Sequence, residues 1–282
     1  MATVKNTKWR HFAYGNGMYV VGGENAIDSN IAYSTDGINW TPVDTSVYRI
    51  DSMAYGNGKF IACGMGKRGD ASNTDVSMGY SNDGKSWSFT TLGYYTDYRK
   101  LGIIFAENRF VAGGKNRVVE YSTDGVTWNS VTVVNYDISY SLIAYGNGIY
   151  IALENASSSQ ARYSISRNGL TGSWASGNLA SEQSIKNVVD VIFNGGEFVI
   201  IAGKTIYTTP DFITFTRKSS VSGRLLKASY KDGLYVIVGK QGSNDNAYLA
   251  YSTDLTEWTE INPIIDETGK TVTDELDGVL IM

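Results

Sequence analysis

Short apolar runs of strand length recur along the chain, separated by polar turn residues. The runs Met18 to Gly22, Phe60 to Cys63, Phe110 to Ala112, Tyr150 to Leu153, Phe198 to Ala202 and Tyr235 to Val238 are rich in aromatic and β-branched residues. Continuous runs this short fit strands buried on both faces, since a helix needs more residues. Each run follows a two-residue turn: Asn16-Gly17, Asn57-Gly58, Glu107-Asn108, Asn147-Gly148, Gly195-Gly196 or Asp232-Gly233. Residues of this kind tolerate positive φ, and a type I′ turn, which needs two of them, matches the twist of the strands it joins. Each turn therefore predicts a β-hairpin. No stretch shows sustained helical periodicity.

A second hairpin follows each first one. It begins as Tyr33-Ser34-Thr35-Asp36-Gly37 and ends on Trp40, returning as Tyr80 to Trp87, Tyr121 to Trp128, Tyr163 to Trp174, Tyr207 to Phe215 and Tyr251 to Trp258. Copy four turns on Asn168-Gly169. Copies five and six lack the glycine, reading Pro210-Asp211-Phe212 and Asp254-Leu255, so looser turns are expected there. The closing aromatics lie 47, 41, 46, 41 and 43 residues apart. Four short strands at a period of 40 to 50 residues are the signature of a β-propeller. The expectation is an all-β, six-bladed β-propeller of four-stranded antiparallel blades, at 7–43, 50–91, 99–133, 140–176, 187–218 and 225–262. The closing aromatics are expected to pack between blades. One domain, residues 1–262, carries the blades. Residues 263–282 form a tail that either clasps the propeller or contacts a neighbouring subunit.

Composition narrows the function. With 24 basic and 28 acidic residues the net charge is -4, and no basic stripe marks a nucleic-acid partner. The first residues lack the apolar core of a signal peptide, and no run approaches membrane-spanning length, so membrane insertion is not expected. Cys63 is the only cysteine and sits in an apolar run, where it reads as a small buried hydrophobe with no disulfide. His11 is the only histidine, which leaves no His-rich metal site. Its place beside Arg10 and Phe12 in a predicted strand favours a packing role over catalysis. The glycines sit in strand-to-strand turns and never open a helix, so they form no phosphate loop. No cofactor and no metal is expected. The 20 tyrosines against 9 phenylalanines are many for a core, because each phenol needs a partner or water.

The hairpins Ser34 to Trp40, Ser81 to Trp87 and Ser122 to Trp128 resemble the Asp-box repeats of sialidase-like propellers. They depart from that pattern in having Asp and Gly adjacent (Asp36-Gly37, Asp83-Gly84, Asp124-Gly125). In the Asp-box families the hairpin serves the fold and lies away from the active site, so the resemblance implies a propeller and no hydrolysis. The combined repeat, Tyr-Gly-Asn-Gly followed by Tyr-Ser-Thr-Asp-Gly-x-x-Trp, resembles propeller repeats of bacteriophage tail and baseplate proteins over about nine tenths of the chain. That resemblance implies a virion component assembled in a bacterial cytoplasm, with other tail proteins as partners and a possible homo-oligomer. A fold alone does not name an activity.

In a four-stranded blade, the loop between strands two and three and the crossover to the next blade emerge at the same end. Two crossovers are rich in tyrosine, giving Tyr94, Tyr95, Tyr98 and Arg99, then Tyr136 and Tyr140; a third contributes Tyr48 and Arg49. Aromatic faces beside amides and charges suit sugar rings, and they equally suit capping of the blades or a protein contact. The leading expectation is a non-enzymatic particle component that recognises a host cell-surface polysaccharide through these eight residues. A purely structural decoration or adaptor protein is the first alternative, and a sialidase-like glycoside hydrolase is the second. The hydrolase would need two carboxyl groups about 5 to 10 Å apart.

Overall fold

The computed structural model describes residues 8–24, 30–45, 47–67, 76–91, 100–114, 118–133, 139–154, 161–170, 172–179, 185–241, 246–261, 263–265, 269–272 and 276. Among them run 24 strands in six successive groups of four. The first group is β1 (Lys8–Gly15), β2 (Met18–Glu24), β3 (Ile31–Ser34) and β4 (Thr41–Val43). The second is β5 (Val47–Gly56), β6 (Lys59–Lys67), β7 (Val76–Ser81) and β8 (Ser88–Thr91). The third is β9 (Lys100–Ala106), β10 (Arg109–Gly114), β11 (Val118–Ser122) and β12 (Asn129–Thr132). The fourth is β13 (Tyr140–Gly146), β14 (Ile149–Glu154), β15 (Arg162–Ser166) and β16 (Trp174–Asn178). The fifth is β17 (Val188–Phe193), β18 (Phe198–Ala202), β19 (Thr205–Thr209) and β20 (Thr216–Ser220). The sixth is β21 (Arg224–Lys231), β22 (Leu234–Gln241), β23 (Asn246–Ser252) and β24 (Thr259–Ile261). Each group is an up-and-down antiparallel sheet, and one pairing between β2 and β5, Glu24 opposite Arg49, joins the first two. These residues form two compact units, Met1–Ile143 with Ser164–Ser176, and Ala144–Tyr163 with Gly177–Met282.

The apolar runs become the second strands, and they are the most buried. Every residue of β18 is buried, as is all of β14 except its last, whereas β24 is exposed throughout. Alternation of side chains explains the burial on both faces. In the first unit, Met53, Phe60 and Ala62 of the second sheet pack on Val20 and Ile31 of the first. The intervening Ala54, Ile61, Cys63 and Met78 pack on Ile103, Phe110 and Ala112 of the third. Cys63 is buried and outside any disulfide, as its setting predicts, and its thiol donates to the Ser52 carbonyl at 3.5 Å. In the second unit, Val199, Ile201 and Ile206 of the fifth sheet meet Leu225, Ile237 and Tyr248 of the sixth. Three closing aromatics pack between sheets as expected, Trp87, Trp128 and Trp258.

The first hairpins turn as the sequence predicts in five copies, with both central residues at positive φ, such as Asn57 at 46° and Gly58 at 74°. Copy five differs. Only Gly195 has positive φ, and the Asn194 side chain closes the turn by accepting the Gly196 and Glu197 N–H groups at 3.0 and 2.8 Å. An asparagine carbonyl placed this way stands in for a backbone acceptor.

The residues just before these turns do something else. Each strand-one aromatic packs on the first aromatic after its turn: Tyr14 on Tyr19, Tyr55 on Phe60, Phe105 on Phe110, Tyr145 on Tyr150, Phe193 on Phe198 and Tyr230 on Tyr235, with centroids 4.4 to 5.0 Å apart. The following glycine admits the same aromatic of the next sheet. A Cβ on Gly15, Gly56 or Gly146 would lie 2.0 to 2.2 Å from the ring of Tyr55, Phe105 or Phe193. The first glycine of the Tyr-Gly-Asn-Gly phrase is thus a packing residue, and the second serves the turn.

The second hairpins share one hydrogen-bond pattern. In the third copy, the Ser122 hydroxyl accepts from Gly125 N–H at 2.8 Å, and Asp124 Oδ1 accepts from Val126 and Thr127 N–H at 2.8 Å each. Copies five and six keep this pattern through Thr209 with Asp211 and Ser252 with Asp254. The expected looseness of these two turns is not found. Phe212 and Leu255 take the glycine's positive φ, at 61° and 65°, and both are buried. The glycine position faces the preceding sheet, where a Cβ on Gly84 would press on Val20 at 2.8 Å. In copies five and six that space is filled by a side chain, and the gain from burial outweighs about 1–2 kcal/mol of left-handed strain.

Backbone N–H donors hold the Asp83, Asp124, Asp211 and Asp254 carboxyls below the usual range near 3.8, Asp124 at about 2. A carboxyl lowered on folding adds stability above its ordinary pKa, and that stability drains away as pH falls through the folded value. Copy four already uses Asn168, whose Oδ1 accepts from Leu170 N–H at 2.9 Å. The expected result for Asp124→Asn is therefore a folded protein less stable than the native chain at pH 7. The deficit should close between about pH 4 and pH 2, read from urea denaturation at stepped pH.

The described part of the tail folds back on its own chain. Val272 N–H bonds Ile264 at 2.8 Å, Ala247 N–H bonds Val272 at 3.4 Å, and Leu276 N–H bonds the Gly239 carbonyl at 3.1 Å, so the segment rests on the sixth sheet. Deleting residues 271–282 should lower the melting temperature by a few degrees, at about 1 kcal/mol per lost bond. An unchanged melting point would reject the docking.

Candidate functional site

Within each up-and-down sheet, the start of the first and third strands and the end of the second and fourth lie at one end, which carries the longer connections. At this end of the first two sheets the structure assembles a charged cluster. Glu24 closes β2 and stands directly opposite Arg49 of β5. Arg49 and Asp51 lie two residues apart in β5, and Arg49 Nε is 2.8 Å from Asp51 Oδ1. Glu24 Oε2 is 3.4 Å from the Arg10 guanidinium and 4.0 Å from that of Arg49. Two cations and two carboxylates thus share one patch, with Asp51 nearly buried at 7% exposure.

The backbone here is irregular for a reason. In β1, Arg10 is an extra residue between the pairs Trp9–Gly23 and His11–Gly22, and in β5, Asp51 is an extra residue between Ile50–Gly64 and Ser52–Cys63. A bulge re-aims the local side chains and raises the twist. It places Arg10 and Asp51 where both reach the patch. Asn30 fixes the rest. It is fully buried, its backbone carbonyl takes Gly23 N–H at 3.0 Å, and its side-chain amide donates to the carbonyls of Val47 and Tyr48, the latter at 2.7 Å. The entry of β5, and with it Tyr48, is therefore held by one amide.

Of the eight expected site residues, Arg49 falls in this cluster with 19% of its side chain exposed, and Tyr48 precedes it in β5, half-buried. Tyr94, Tyr95, Tyr98, Arg99 and Tyr136 lie outside the described residues. Tyr140 is corrected. It is fully buried, and its hydroxyl shares a 2.7 Å hydrogen bond with Ser164, which shares another with Ser176. Its ring belongs to the packing under the loops and offers no face to a ligand. Arg10, Glu24, Asn30 and Asp51 carry no sequence signal of their own, because the two bulges and the sheet-to-sheet pairing that gather them are invisible in a local pattern. His11 sits half-buried in β1.

A second charged pair stands at the equivalent end of the fourth group, where Arg162 makes two bonds to Glu154, at 2.8 and 2.9 Å. Two planar groups paired this way hold each other in a fixed orientation. In the second unit, Asp190 accepts Ala228 N–H from the neighbouring sheet at 2.9 Å and lies 3.4 Å from Lys227. Ser52 receives Ile103 N–H in the same relation in the first unit, at 3.2 Å. Both side chains satisfy backbone donors and act as ties between sheets. Among the described residues no group of three histidine, cysteine or acidic side chains could hold a metal ion, and no helix is long and apolar enough to cross a membrane.

No protein-family model and no curated protein matches this chain. Solved structures do. The chain is similar to YCF48 bound to D1 peptide, at 18% identity and a TM-score of 0.65, covering 90% of this chain and 81% of that one. It is also similar to YCF48 from Cyanidioschyzon merolae, at 12% identity and a TM-score of 0.64, covering 94% and 87%. Hydrazine synthase of Kuenenia stuttgartiensis gives 10% identity and a TM-score of 0.57, covering 89% and 79%. At such identities the likeness speaks for the fold: the chain is an all-β propeller with four-stranded antiparallel blades.

Proposed function

We propose that this propeller is a non-enzymatic binding module of a phage tail, baseplate or related particle, and that its loop-bearing end recognises a host cell-surface polysaccharide. The observation that carries the reading is the patch of Arg10, Glu24, Arg49 and Asp51, with Tyr48 next to Arg49 in β5, at the end of the first two sheets that carries the longer connections. Carboxylates and guanidinium groups fixed by one another accept and donate hydrogen bonds to sugar hydroxyls, and a tyrosine face covers the apolar side of a sugar ring. The particle context rests on the repeat's resemblance to tail and baseplate propellers.

A second reading, a structural adaptor that binds another particle protein, draws support from the peptide bound to a propeller of similar fold. Sedimentation of the purified chain with host cell walls separates the two. Retention on wall polysaccharide that falls at least tenfold in Arg49→Ala supports glycan recognition. Absence of retention, with tight capture of a tail protein, supports the adaptor.

A further inference from the structure

The second unit carries one unusually short connection between a second and a third strand. Eight residues separate β6 from β7, but only Gly203 and Lys204 separate β18 from β19, the shortest such connection in the chain. Three backbone bonds tie this low turn to the crossovers on either side. Gly203 N–H reaches Asn187, Leu225 N–H reaches the Gly203 carbonyl, and Val221 N–H reaches Lys204, each at 3.0 Å. Lys186, Lys204 and Arg224 each sit next in sequence to a residue of this network, and all three are exposed. Chain geometry therefore gathers three cations around one turn.

They are balanced only in part by the carboxylates nearby. Asp190 is engaged by Lys227 and Ala228 N–H, whereas Glu260, held by the neutral Ser222 and by the Tyr248 hydroxyl at 2.8 Å, keeps its charge and offsets one of the three cations. Among the described residues no carboxylate pairs with Lys186, Lys204 or Arg224. Among the described residues, positive charge thus exceeds negative charge around this turn, in a chain of net charge -4.

We infer that this turn binds an anionic polysaccharide, one bearing carboxylate or phosphate groups. This deepens the proposed recognition of a surface glycan and rests on it. Charge complementarity names the sign of the ligand. The polar surroundings name its kind: Thr205 and Ser220 face each other with hydroxyls 3.2 Å apart, and Ser222 and Gln241 are bonded at 3.2 Å. Such groups serve sugar hydroxyls. None of the large exposed apolar side chains falls in these segments, whereas a protein interface is built around an apolar centre.

The test uses the full chain on immobilised alginate for carboxylate, a phosphomannan for phosphate, dextran as neutral glycan and polyglutamate as acidic protein. Binding to alginate or phosphomannan is expected, weakening with salt as exposed charges are screened. The triple variant Lys186→Glu, Lys204→Glu, Arg224→Glu should lose about tenfold or more, while Lys85→Glu with Lys231→Glu, at the opposite end, should stay within about twofold. A triple variant to glutamine with an unchanged melting curve guards against unfolding. Equal binding by the triple variants overturns the inference, as does stronger retention on polyglutamate. Binding to dextran alone overturns it and leaves surface recognition standing. Failure on every glycan, host walls included, overturns both.

Discussion

Phe212→Ala should destabilise the protein by about 3–5 kcal/mol, and Phe212→Gly should be less damaging by about 1 kcal/mol. The order is the informative part. Phe212 is the corner residue of a hairpin, where a glycine stands in copies one to four, and at φ 61° it bears backbone strain that alanine keeps and glycine relieves. Its ring is 1% exposed and packs on Tyr163, Phe198 and Phe215, with centroids 5.1 to 6.0 Å away. The Tyr163 hydroxyl also donates to its carbonyl at 3.0 Å. If burial outweighs strain, urea midpoints fall in the order native, glycine variant, alanine variant. Equal losses in both variants would show that the positive φ carries no strain, and a stable alanine variant would show that the ring is not structural.

Gly56→Ala should cost about 1–3 kcal/mol, through crowding and not through backbone conformation. Gly56 does not take a positive φ, but a Cβ there would lie 2.0 Å from the Phe105 ring of the next sheet. Gly58, two residues on, reverses the case: φ is 74° and nothing lies within 4 Å of its Cβ position. Phe105→Ala should therefore rescue Gly56→Ala in part and leave the loss from Gly58→Ala unchanged. A double-mutant cycle in denaturant measures this directly, because only residues in contact couple. Absence of coupling between positions 56 and 105 would contradict the packing of the second sheet on the third.

The same two glycines show how far the sequence can be read. Asn57-Gly58 announces a hairpin because positive φ is a local requirement, and local requirements leave local signatures. Gly56 is conserved in type at Gly15 and Gly146 for a reason that lies in another repeat, so its role emerges only when the sheets are stacked. The missing glycines of copies five and six mislead in the same way. The turn looks weakened locally, while Thr209, Asp211 and a buried Phe212 keep it intact through hydrogen bonds and a neighbour's core.

The site divides similarly. Tyr48 and Arg49 read in the sequence as an unusual pair in a crossover and stand instead within β5, and Tyr140 looks like one more exposed tyrosine from the same kind of segment. Its burial follows from being the first residue of β13, already within the sheet, with Ser164 supplying the partner a buried phenol needs. Asp51, Arg10 and Asn30 reach the patch through bulges and a cross-sheet amide. Neither device changes composition or periodicity, so no motif reports them.

The claim on which the account turns is that the sheets of each unit bind through the ends that carry their longer connections. Hydrogen–deuterium exchange of the full chain with and without saturating host cell-wall polysaccharide tests it most directly. Slowed exchange is predicted in peptides covering residues 47–51, 186–187, 203–205 and 220–224, with the hairpin ends at 36–39, 83–86 and 124–127 unchanged. Protection at those hairpin ends, with the ends that carry the longer connections unaffected, would contradict it.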